Sequence, residues 1–328
     1  AQAQVIITVA LDDGVKVGEE IAATSTVESG APEAIPDNND LLVYLTLLPT
    51  ADFIVTSLQD HPDTNPGDGI CAAVGGCTLR AAVQEANVLA GPQSAALGYG
   101  VHQLNLIDDP DVLAAASGEP LFVTDHLTII GLNPDRTIIN ANGLSRIFNL
   151  SDASLTMRDL MLAGGSVSGD GGGAILSDSG ELRLERVAMT GNEADGGGGL
   201  WARNSTVSIT QSAFTDNRAL ASGGAIHNEG SNIQVQNSTF SGNRADRGGV
   251  LVNDGGTSAF GNATLVGNAA STEGGGILGT GNGVTLNNTI LAGNSAPLGP
   301  NCLGRFTSDG YNLLGDLQDC TVLGQTQT

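Results

Sequence analysis

Gly223-Gly224-Ala225-Ile226-His227, followed by Ile233-Gln234-Val235, then Ser238-Thr239-Phe240, and closing on Asn243, is one unit of a pattern that decides the fold. The pattern opens five times on a glycine pair. The openings are Gly172-Gly173-Ala174-Ile175, Gly198-Gly199-Leu200-Trp201, Gly223-Gly224-Ala225-Ile226, Gly248-Gly249-Val250-Leu251 and Gly275-Gly276-Ile277-Leu278. It closes on Asn192, Asn217, Asn243, Asn268 and Asn294, which stand 25, 26, 25 and 26 residues apart. A fixed period of this size marks one structural unit stacked on itself. Each unit holds three short runs with period-2 alternation and no helical stretch. The residue eight before each asparagine is apolar throughout: Leu184, Ile209, Val235, Phe260 and Leu286. Three strands and three turns in one period make one coil of a parallel β-helix, with coils about 4.8 Å apart. Aliphatic residues then form columns inside. The asparagines form a ladder at a corner, each amide serving turn backbone and its neighbour.

Composition narrows the function. The chain carries 35 acidic and 12 basic residues, a net charge of −23, and a single lysine, Lys16. A nucleic-acid partner needs a basic surface, so none is expected. No apolar run approaches the ~20 residues of a membrane span. The four cysteines fall in local pairs, Cys71 with Cys77 and Cys302 with Cys320, which predicts two disulfides and an oxidising compartment. The opening Ala1-Gln2-Ala3-Gln4 is that expected of a mature secreted chain.

The flanks add a helix and a β-segment. Leu79, Ala82, Val83, Ala86 and Leu89 form one apolar stripe behind Thr78, predicting a helix near 78–91. A β-helix has an exposed core at its first coil, and this helix is placed to cover it. In residues 1–50, Val5–Leu11, Glu20–Glu28 and Leu41–Leu48 read as strands. The last run is too apolar to form an open edge uncovered. The coils or a neighbouring subunit could cover it.

Resemblance enters on these residues. Asp68-Gly69-Ile70-Cys71 through Cys77-Thr78-Leu79-Arg80-Ala81-Ala82-Val83-Gln84-Glu85-Ala86-Asn87 resembles the CSLREA segment of bacterial extracellular β-helices, which usually has Glu where this chain has Ala81. Asn301-Cys302-Leu303-Gly304-Arg305-Phe306-Thr307-Ser308-Asp309-Gly310-Tyr311-Asn312-Leu313-Leu314 resembles the closing coil of choice-of-anchor β-helix domains. The glycine-pair and Phe-x-x-Asn repeats resemble pectin-lyase-like and polymorphic outer-membrane-protein repeats. Gly18-Glu19-Glu20-Ile21 through Pro36-Asp37-Asn38-Asn39-Asp40 resembles the last hairpin of Ig-like surface repeats. The resemblance implies an all-β, right-handed parallel β-helix at the bacterial cell surface or outside the cell. It does not imply one activity. The expected organisation is an incomplete Ig-like extension at 1–50 and a β-helix at 51–328, closed by a coil at 300–320.

The repeat aligns side chains from coil to coil. Fourteen residues before each ladder asparagine stand Asp178, Arg203, Glu229, Asp254 and Thr280. Glu229 and Asp254 fall in adjacent coils, at about the 5–5.5 Å carboxylate separation of retaining glycosidases, with His227 and Arg203 nearby. This is the one catalytic candidate. Charged residues also belong at solvated turns, which is the preferred reading. The corner carboxylates Asp170, Asp195 and Asp246 are the set that could take calcium; otherwise no cofactor is expected. Trp201, the only tryptophan, takes the place of Ile175 and Ile226 in the repeat, so packing rather than sugar stacking is expected of it. The leading expectation is a non-enzymatic structural protein. It would be a head-to-tail homopolymer joined through Val5, Ile7, Val9, Leu41, Val43, Leu45 and Leu47. The alternatives are an adhesin that binds a surface glycan and a polysaccharide lyase or glycoside hydrolase.

Overall fold

The computed structural model describes residues 16–26, 40–105, 118–281 and 283–325, with 21–26 and 40–45 described by backbone alone. The chain divides into two compact units, 1–50 and 51–328. In the first, Glu20–Thr26 and Asp40–Thr46 form an antiparallel pair, Glu20 opposite Thr46 and Thr26 opposite Asp40. Val5, Ile7 and Val9 lie outside the described residues.

The second unit is a parallel β-solenoid. One coil runs Ile226–Glu229, Asn232–Gln236, Thr239–Ser241 and Arg244–Arg247. Each strand pairs in parallel with its counterpart one coil on, giving four stacks. The first three stacks follow from alternation. Leu184, Ile209, Val235, Phe260 and Leu286 lie in successive register and are all buried. Leu200, Ile226, Leu251 and Ile277 form a second inward column. Met189, Phe214, Phe240 and Leu265 form a third, with Phe214 stacked on Phe240 at 4.9 Å. Full burial of each such side chain contributes about 1.5–3 kcal/mol.

The fourth stack was not expected. Glu193–Gly196, Arg218–Ser222, Arg244–Arg247 and Ala269–Glu273 make a separate four-stranded sheet. Its strands follow the ladder asparagines, and its register shifts because the step from asparagine to corner glycine varies. The corner glycines share a positive φ: Gly172, Gly197, Gly223, Gly248, Gly274 and Gly299. This corrects the framing of two repeats. In the runs Gly196–Gly199 and Gly274–Gly276 the corner is one residue earlier than the glycine pairs suggest. Leu200, not Trp201, is therefore the residue in register with Ile226.

The asparagine ladder is continuous and buried. Asn192, Asn217, Asn243 and Asn268 each donate Nδ2–H to the Oδ1 of the next asparagine at 2.9–3.0 Å. The same oxygens accept the backbone N–H of the preceding asparagine. A hydroxyl ladder stands at another corner, where Val187 N–H donates to Ser212 Oγ and Ser212 N–H to Ser238 Oγ, both at 3.1 Å.

At one end, helix α1 spans Leu79–Val88, and Thr78 caps it by accepting from Ala81 N–H. It ends short of the expected 91 because Leu89 turns to extended backbone, though Leu89 still packs on the core. Leu79, Ala82, Val83 and Ala86 are buried against the first coils. The acidic loop before it is a brace: buried Asp60 pairs with Arg80 at 2.7 Å, and Asp63 accepts from Asn65 and Ala72 N–H. Disulfides join Cys71 to Cys77 and Cys302 to Cys320, which is compatible with a secreted or extracellular protein. No helix among the described residues is long and apolar enough to cross a membrane.

Candidate functional site

The outward side chains of the first stack form two columns. One runs Leu176, Trp201, His227, Val252, Leu278; the other Asp178, Arg203, Glu229, Asp254. The column of charged residues thus stands in the register that counting from the asparagines gives. Trp201 points out of the core, because its one-residue offset from Leu200 reverses its face.

Trp201 and His227 stack with ring centroids 4.7 Å apart and planes 5° from parallel. The Arg203 guanidinium lies 4.2 Å from the indole centroid. Glu229 Oε2 accepts from Trp201 Nε1–H and from Arg203 Nε–H, both at 3.1 Å. Ser222 Oγ and His227 Nδ1 are 2.9 Å apart. Burial pushes the His227 imidazole below its ordinary 6.5. Glu229 and Asp254 oppose that shift, while Arg203 and Arg247 reinforce it. Asp170 closes the near side, bonded to Arg146 Nη2 at 2.7 Å and 3.8 Å from Arg203 Nη2. Burial pushes the Asp170 carboxyl up, but the Arg146 hydrogen bond, the Gly171 N–H and the two guanidinium charges hold it below its ordinary range.

The glycines beside this cluster are spacers. A Cβ on Gly171 would sit 1.3 Å from Trp201 Cε3, and one on Gly196 would sit 3.0 Å from His227 Nδ1. Neither glycine has positive φ, so room for the rings, not backbone conformation, is what each supplies.

Residues 138–322 match the family described as "Right handed beta helix region". This chain belongs to the right-handed β-helix family. No curated protein matches the chain significantly. A solved structure titled "Crystal structure of Agl-KA catalytic domain" is similar over 87% of this chain and 70% of that one, at 11% identity and a TM-score of 0.23.

In this β-helix, the sequence candidates separate into one cluster and scattered corners. Arg203, His227 and Glu229 come together, with Asp254 in register beside Glu229 and accepting from Thr280 Oγ1 at 3.2 Å. Asp195 accepts from Gly169 N–H, and Asp246 accepts from Ser271 Oγ. With Asp170 held by Arg146, the three corner carboxylates serve different partners. Among the described residues no three His, Cys, Asp or Glu side chains are placed to hold a metal ion.

Sequence reasoning missed Trp201 and Ser222. Ser222 precedes a corner glycine and His227 follows it, so only the turn brings them together. A Ser–His contact raises acyl transfer. A serine nucleophile also needs free donors for the oxyanion. The nearest, Gly223 and Gly224 N–H, are spent on Arg247 and Gly248 carbonyls. Within the cluster, Glu229 Oε2 is occupied by Trp201 and Arg203, and His227 Nδ1 by Ser222.

Proposed function

We propose that this β-helix is a non-enzymatic extracellular structural protein, a subunit of a bacterial surface filament or layer. Copies join head to tail through the strands of residues 1–50. The carrying observation is the two-stranded sheet of Glu20–Thr26 and Asp40–Thr46 in a unit of its own. Among the described residues of this unit these are the only two strands, and a two-stranded sheet by itself is marginal in water, so the pair gains from further strands. The apolar run Leu41, Val43, Leu45 and Leu47 adds the reason to recruit them from a neighbour. The resemblances to CSLREA and choice-of-anchor β-helices and to Ig-like surface repeats support the same setting. A contact between unlike surfaces that does not close yields a fibre.

The test compares the full chain with one lacking 1–50, by sedimentation and negative-stain imaging. The full chain should assemble with rising concentration and the shortened one should remain a folded monomer. Identical assembly of both would refute the reading.

The register pairing of Glu229 with Asp254 favours a second reading, a glycoside hydrolase or polysaccharide lyase at that pair. A Glu229→Gln, Asp254→Asn double variant that leaves any detected polysaccharide cleavage unchanged removes it.

A further inference from the structure

The fourth stack carries a site that neither reading uses. Arg218 and Arg244 are register partners, so two guanidinium groups rise from adjacent coils about 4.8 Å apart at the backbone. Like charges placed side by side on a sheet repel. A chain with 12 basic residues and a net charge of −23 has little reason to put two of them there by composition. Arg218 is held from below by Glu193, Nη1 to Oε1 at 2.6 Å. The Arg244 guanidinium makes no ion pair or hydrogen bond with any described residue, because Ala269 is its register partner one coil on.

Beside the two arginines lies an open hollow of about 180 Å³, completed by Leu220, Asp246 and Ser271. Each wall asks for a different part of a ligand. The guanidinium pair, with most of its ten N–H donors unused, asks for an oxyanion. Asp246 accepts one hydrogen bond from Ser271 Oγ at 2.5 Å and keeps its second carboxylate oxygen for a ligand hydroxyl. A bare phosphate or sulfate would be repelled there. Leu220 is 49% exposed beside the arginines and offers an apolar surface to C–H groups. The volume is below the roughly 300–1,000 Å³ of drug-sized pockets.

The geometry points to a binding site for one acidic sugar unit of a polysaccharide. Its carboxylate or sulfate lies on Arg218 and Arg244, a ring hydroxyl donates to Asp246, and its C–H face rests on Leu220. The site is on a different stack from the Trp201 cluster, and it is independent of how copies assemble.

The experiment titrates the full chain with methyl β-glucuronide, methyl glucoside 6-sulfate, methyl β-glucoside and inorganic sulfate, followed by ligand-observed NMR at low salt. Either acidic glycoside should bind in the millimolar range, at least tenfold tighter than the neutral one. Raising NaCl to 0.5 M should weaken it severalfold. Arg218→Gln/Arg244→Gln should lose at least tenfold in affinity, and Leu220→Asp severalfold, with melting temperatures unmoved because all three side chains are exposed. Equal binding of acidic and neutral glycosides, or full retention by the double arginine variant, overturns the site. Inorganic sulfate binding as tightly as the glycosides overturns its assignment to a sugar.

Discussion

Trp201 shows how much one residue of register is worth. Read one place along, it would be a core side chain; in place, it lies outside on His227 and above Gly171. The offset hides in the run Gly196–Gly199, where two alignments of the corner satisfy the glycine pattern equally. Glycine is usually argued from positive φ, but Gly171 is needed for the volume it leaves empty. A Gly171→Ala substitution must expel the indole, since the new methyl would overlap Cε3. Overpacking of this kind costs about 1–3 kcal/mol. Trp201 is the only tryptophan, so its fluorescence reports the event directly. The expected outcome is a red-shifted emission maximum with a lowered urea midpoint. An unshifted spectrum would mean that the ring does not rest on Gly171. Gly169→Ala makes the control: its positive φ strains an added side chain, but no atom lies within 4 Å of its Cβ position.

At the scale of the element, the ladder and the stacks were legible to different degrees, for physical reasons. The asparagine ladder was legible because each amide has a job that only its own chemistry fills. Asn243 donates to Asn268 Oδ1 and to the Phe214 carbonyl, and accepts from Asn217 twice. The aliphatic stacks were legible because burial on one face imposes alternation. The fourth stack was not. Its strands are polar outside, and their inward residues Ala194, Ala219 and Ala270 are too small to mark a buried face. The charged column follows from counting back from the asparagines, whereas the ring stack beside it is hidden by the one-residue offset at Gly196–Gly199. Asn243→Ala tests the ladder. It leaves the Asn217 N–H and the Phe214 carbonyl buried without partners, at about 1–3 kcal/mol each. A loss of about 2–5 kcal/mol in equilibrium urea unfolding is expected. Hydrogen exchange should speed at Asn217 N–H. A loss under about 1 kcal/mol would mean that water replaces the amide, and the ladder would then be ornament to the packing.

At the scale of the whole β-helix, each coil touches only the coils beside it, so stability is close to a sum of coil and neighbour terms. That makes coils removable in whole units. Deleting Arg218 to Asn243 joins Asn217 to Arg244 and removes one ladder period of 26 residues. Leu200 then meets Leu251, Phe214 meets Leu265, and Asn217 meets Asn268, each pair of the kind already stacked elsewhere. Glu193, which loses Arg218, faces Arg244 instead. The costs are the contacts Phe240 makes with Phe214 at 4.9 Å and with Phe260 at 5.8 Å. Such ring pairs contribute about 0.5–1.5 kcal/mol each beyond burial, which corresponds to a melting temperature lower by about 2–5 °C in a domain of this size. The shortened protein should keep its circular dichroism per residue and one cooperative transition. Deleting 218–230 instead joins mismatched strands and breaks every column at once, so that variant should not fold. If the two deletions behave alike, the register of the coils is not what holds this molecule together.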